Sequence, residues 1–100
     1  MLSGLSTKGR LVVDEGAAAA LKKEKRSLLA AGIVGMEGAF ERGDLVDVVD
    51  RDGGRLGSGI CNYGLSDVTL IRGAHSDMIG DLLGHDYGAE VIHRNNLVLL

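Results

Sequence analysis

A chain of 100 residues makes one small domain, because two halves of that length could not each bury a stable core without staples. Eleven Lys and Arg against fourteen Asp and Glu leave a net charge of −3 and a pI near 5.5, which argues against a dedicated nucleic-acid binder. Sixteen glycines, no proline and only three aromatic residues describe short elements joined by tight turns, and exclude a long helical bundle or a base-stacking platform.

Residues 1–9 read as frayed, with 1–7 a linker or translation start; Met1–Leu5 is too short and too uncharged for a signal peptide. Leu11-Val12-Val13 is a short strand. Asp14 then stands where a helix N-cap belongs, with Glu15 favourable in the first turn. The Ala17–Leu21 run is strongly helical and propensity would carry it to Ala31. Lys22, Lys23, Lys25 and Arg26 repel one another at helical spacings, so a break near Glu24–Arg26 is expected, with a second short turn over Ser27–Leu29.

After Gly32, Ile33, Val34, Met36 and Phe40 are interrupted by Gly35 and Gly38, the mark of a bent or bulged strand. Glu41–Asp44 is a turn and Leu45–Val49 a β-branched strand. Arg51-Asp52-Gly53-Gly54 is a hairpin turn, and the return strand runs from Leu56 towards Tyr63. Two short helices follow, with Ser66 and Ser76 as N-caps and Gly73 and Gly84 as stops. Their apolar faces are Val68, Leu70 and Ile71, then Met78, Ile79, Leu82 and Leu83. Glu90–His93 and Leu97–Leu100 are the last strands. This order predicts a mainly β fold with short helices, a small mixed barrel rather than a doubly wound sheet.

Candidate chemistry is sparse. Gly53–Gly59 is dense in glycine, but it lies between two strands and lacks the Lys-Ser of a phosphate loop, so it reads as a hairpin. His75, His85 and His93, with Asp86, Glu90 and Cys61, match no zinc spacing. Cys61 is expected to be a small packed side chain, since a lone thiol in a strand is more simply core than nucleophile. Phe40 is expected in the core and Tyr63 across the barrel mouth. The one basic cluster, Lys22, Lys23, Lys25 and Arg26, is either a solvated helix end or a contact for phosphates or an acidic protein face. A single cysteine and the lack of an apolar run of ~18 residues suggest a reducing cytoplasmic setting and no membrane.

Leu11-x-x-Asp14-Glu15-Gly16-Ala17-x-x-Ala20-Leu21, then Ser27-Leu28-Leu29-x-x-Gly32-Ile33, then Glu37-Gly38-x-Phe40-x-x-Gly43-Asp44, taken in that order, resemble a PUA domain. Asp52-Gly53-Gly54, Gly59-x-x-x-Tyr63, Ile71-x-Gly73-x-x-Ser76-x-x-Ile79, Leu83-Gly84 and Val91–Val98 narrow the likeness to the C-terminal PUA domain of glutamate 5-kinases, over residues 8–100. Arg26, Ala30, His85 and Asn95 depart from the usual pattern at turns and helix ends. The resemblance implies a PUA-like pseudo-barrel with no catalysis of its own. It also implies an upstream amino-acid-kinase domain that uses ATP and magnesium to phosphorylate L-glutamate, the first step of proline biosynthesis. In that setting the chain is a regulatory or structural module; the alternative is an RNA-binding PUA module. Lys22, Lys23, Lys25 and Arg26 are the candidate contact for structured RNA or for the kinase domain.

Overall fold

In a computed structural model, residues 7–24 and 26–99 are described. Seven strands and three short α-helices follow the predicted order, with one additional strand. Strand β1 (Gly9–Val13) turns Leu11 and Val13 inward, the alternation that a half-buried strand requires. It pairs antiparallel with β3 (Ile33–Gly38) and parallel with β4 (Leu45–Val49). The β4–β5 hairpin (β5, Arg55–Ile60) and β7 (Leu97–Leu99) complete a five-stranded sheet of order β3-β1-β4-β5-β7. The bulge expected in the third strand appears as a register shift against β1 between Val12 and Val13.

The hairpin turn forms as the Asp-Gly signal predicts. The N–H groups of Asp52 and Gly54 donate to Asp50 Oδ1 at 2.9 and 2.8 Å, and Gly53 takes a φ of 89° that favours glycine. Asp14 caps α1 (Glu15–Glu24), its Oδ1 accepting from the Ala17 N–H at 2.7 Å. The helix has ended by Arg26, as the charge run predicts.

Four expectations need correction. The chain is already tied down before Leu11: Thr7 Oγ1 donates to Asp47 Oδ2 at 2.9 Å and the Lys8 N–H to the Leu45 carbonyl at 2.8 Å. Gly9 is in β1; residues 1–6 of the expected linker lie outside the described residues. Leu28–Leu29 is a strand, β2, not a turn, because it pairs with β6 (Glu90–Ile92) in a two-stranded ribbon. The caps shift by one or two residues. Gly64 precedes α2 (Leu65–Ile71), and His75 caps a 3-10 turn over Ser76–Met78 that leads into α3 (Ile79–Leu83). Finally, Leu70, Met78 and Leu82 are exposed; Val68, Ile71 and Ile79 are buried in the core and Leu83 packs against it. Gly84 does close α3, in the left-handed conformation at φ 77°.

The sheet and the ribbon enclose one core, in which Leu11, Val13, Val46 and Val48 meet Leu28, Val91, Ile92 and the helical Leu21, Val68 and Ile71. This is the mainly β pseudo-barrel with short helices that the motifs implied. Phe40 is buried in it, as expected.

Candidate interaction surfaces

Two faces of the molecule border the β2–β6 ribbon. On the β2 side, α1 and residues 26–32 form an apolar groove of about 350 Å³, lined by Ala17, Ala20, Leu21, Leu28, Leu29 and Ala31. The groove exists because α1 presents Ala and Gly where a larger side chain would fill the space. Helix and 3-10 turn (Ala30–Gly32) meet closely, and a Cβ added to Gly32 would lie 2.5 Å from Ala17 Cβ. Basic residues rim one end. Lys22 and Lys23 are exposed on the last turn of α1, where cations suit the helix dipole. Arg26 lines the groove and pairs with Glu24 at 3.1 Å. Lys25 lies outside the described residues. Sequence reasoning missed one neighbour. The backbone N–H of Arg94 donates to Ser27 Oγ at 2.9 Å, which ties the start of the last 3-10 turn to the residue after the basic run across 67 residues of chain.

On the β6 side sits a polar corner built around Tyr63. Its ring is buried, and its hydroxyl donates to the Gly88 carbonyl at 2.6 Å and accepts from the Tyr87 N–H at 2.9 Å. Burial pushes the Tyr63 phenol above its usual range and the Asp86 carboxylate adds to this, against the lowering effect of the Tyr87 N–H. Asp86 Oδ1 holds the same loop by accepting from the Gly88 N–H at 2.7 Å. Tyr87 projects outward and is flanked by Arg42, whose guanidinium lies 3.8 Å from the ring centroid, and by His85. Asn62 ties these parts together: its Oδ1 accepts from Arg42 Nε at 3.3 Å and its Nδ2 donates to the Tyr87 carbonyl at 2.9 Å. His85 Nε2 and Asp67 Oδ2 approach at 3.1 Å and link the loop to α2.

The remaining candidates stay apart. Cys61 is fully buried, donates to the Tyr63 carbonyl at 2.8 Å, and burial raises its thiol to about 11. That suits a packed side chain and not a nucleophile, which needs the thiolate. Among the described residues, no three of His, Cys, Asp and Glu converge as metal ligands. The glycines of Gly53–Gly59 are used in packing. A Cβ on Gly57 would run into the Val98 carbonyl, and one on Gly59 would come within 2.7 Å of the Asn96 carbonyl. They let β7 approach β5, so the segment presents no open cradle for a phosphate. No helix of the described residues is long and apolar enough to cross a membrane.

The model of the PUA domain family matches residues 9–83. A glutamate 5-kinase of Dehalococcoides mccartyi (strain CBDB1) is 52% identical over 100 residues, covering 100% of this chain and 27% of that protein. The chain therefore spans about a quarter of the length of the curated relatives it matches. Among solved structures, a PUA domain protein from Aeropyrum pernix K1, crystallised as a tartrate complex, superposes with a TM-score of 0.63 at 29% identity. That match covers 86% of this chain and 41% of the other. The archaeal box H/ACA sRNP Nop10–Cbf5 complex superposes with a TM-score of 0.60 over 92% of this chain and 23% of that one; at 14% identity the likeness is one of fold alone.

Proposed function

The chain belongs to the PUA domain family, and from that premise we propose that it is the C-terminal accessory module of a glutamate 5-kinase. One observation carries this reading: identity of 52% runs across all 100 residues, well beyond what a shared fold requires. The parent enzyme would phosphorylate the side-chain carboxylate of L-glutamate in the cytoplasm, at the start of proline biosynthesis. That chemistry, with its ATP and magnesium, belongs to an upstream amino-acid-kinase domain. In keeping with that assignment, the glycine-dense segment of this chain is packed against β7, and among the described residues no three His, Cys, Asp or Glu side chains converge. Its role is then regulatory or structural, with the kinase domain as its partner in cis, or in trans if the module stands alone.

The contact surface in this reading is the basic run Lys22, Lys23, Lys25 and Arg26, of which Lys22, Lys23 and Arg26 are exposed beside the groove. Binding of structured RNA at the same rim is a second reading. The exposure of Lys22, Lys23 and Arg26 favours it, and the overall acidic pI weighs against it. Two measurements test these readings. Intact mass of the native gene product is expected to exceed this chain by a kinase domain, and a native product of 10.5 kDa would overturn the accessory role. A low-salt titration with structured RNA is expected to show no binding; a salt-sensitive complex lost on neutralising Lys22, Lys23 and Arg26 would establish the second reading instead.

A further inference from the structure

Arg42, Asn62, Tyr87, Glu90, His93 and Asn96 face one polar cavity of about 460 Å³, within the size range of small-molecule sites. We propose that this cavity binds a small zwitterion, a free α-amino acid, with its carboxylate on Arg42 and His93 and its ammonium on Glu90. The inference is independent of the kinase reading and rests on the donors and acceptors left unused.

Arg42 is held in place before any ligand arrives. Its guanidinium stacks on Tyr87 at 3.8 Å and its Nε donates to Asn62 Oδ1, and among the described residues nothing takes the four N–H bonds of the two terminal nitrogens. Asn62 is itself fixed by donating to the carbonyls of Tyr87 and Glu90, at 2.9 and 3.4 Å. His93 Nδ1 accepts from the Asn95 N–H at 3.1 Å, so the neutral ring carries its proton on Nε2 as a second donor. Such preorganisation lowers the ordering cost that a small ligand must overcome.

Glu90 supplies the opposite charge. Arg42 and Glu90 line the same cavity, yet among the described residues neither takes part in an ion pair, with the other or with any other group. A simple anion would be repelled by Glu90 and a simple cation by Arg42. A molecule carrying both charges satisfies the two together, and Ile60 and Tyr87 offer apolar surface for its side chain.

The test is a two-dimensional amide NMR titration of the 100-residue chain near neutral pH. Glycine and L-valine serve as zwitterions, acetate and methylammonium as single-charge controls. Saturable shifts are expected at residues 42, 62, 90 and 93 with the amino acids, with at least about ten-fold weaker effects from either control. Glu90→Gln is expected to weaken amino-acid binding about ten-fold while leaving the spectrum otherwise native. Arg42→Lys should weaken it too, because a lysine cannot present the same planar pair of donors. If Arg42→Lys disturbs the fold, Glu90→Gln decides alone, since among the described residues no hydrogen bond reaches its carboxylate. Absence of saturable shifts with both amino acids overturns the proposal. So does acetate binding as tightly as glycine, or a Glu90→Gln variant that binds undiminished.

Discussion

The two sides of the β2–β6 ribbon are built on opposite principles. At the β6 corner, Tyr63, Asn62 and Asp86 pin the 86–90 loop through hydrogen bonds between side chains and backbone, with Arg42 stacked outside. At the β2 groove, the contact between α1 and residues 30–32 is one of small side chains, and the polar groups stand at the rim. A loop that buries little apolar surface needs directional bonds to hold a single geometry, whereas small-residue packing keeps a surface open. The corner suits a fixed set of donors, and the groove suits a contact that must adapt.

The largest effect is expected from emptying the corner. Tyr63→Ala removes a fully buried ring and should cost about 3–5 kcal/mol in urea unfolding. Tyr63→Phe keeps the ring but strands the Tyr87 N–H and the Gly88 carbonyl, and should cost about 1–3 kcal/mol. A Phe variant as stable as the parent would mean that packing, not hydrogen bonding, holds this corner, and the contrast with the groove would disappear.

Titrating the same corner should come next in size. The Cys61 thiol is raised from 9.0 to about 11 by burial, so the folded state keeps a proton there that the unfolded state loses. Its contribution is complete below about pH 9 and is lost as pH rises towards 11, on the order of 2 kcal/mol at 1.36 kcal/mol per pK unit. Comparing the parent with Cys61→Ala across that window isolates this group from the lysines and tyrosines that titrate alongside it. The parent should lose stability relative to the variant. Parallel pH curves would show that the thiol sits in a wetter setting than its burial implies.

Much of the sheet was legible in the sequence because its signals are local. Leu11-Val12-Val13 and Leu45–Val49 carry the strand pattern, and Asp52-Gly53 fixes the turn between β4 and β5. β2 was not legible: Leu28-Leu29 has no alternation to read, and its partner Glu90–Ile92 lies some 60 residues away. Ser66 and Ser76 drew the caps away from Gly64 and His75 because hydroxyl residues are the commoner N-cap signal. The basic run at 22–26 could be seen as a run, but the bond from the Arg94 backbone N–H to Ser27 beside it arrives only through the ribbon. The polar cavity was the least legible, since Arg42, Asn62 and the Glu90–His93 segment are three separate stretches that each read as ordinary turn or strand. No short motif encodes a site that topology assembles.

The smallest effect tests the groove side. Gly32 is not at a positive φ, so an alanine there would suffer no backbone strain; its only obstacle is Ala17, 2.5 Å from the added Cβ. Gly32→Ala should therefore cost about 1–2 kcal/mol by overpacking, and it should do so by pushing α1 away from residues 30–32. Ala17→Gly removes the obstacle at the usual helix-propensity cost of about 1 kcal/mol. In that background the additional cost of Gly32→Ala should fall to near zero, giving a coupling that a double-mutant cycle reads directly. The corner should not respond, so amide exchange at Tyr87 and Gly88 ought to match the parent in all three variants. A Gly32→Ala penalty of equal size in both backgrounds would show that the groove is held by something other than this contact, and the distinction between a packed side and a bonded side would have to be redrawn.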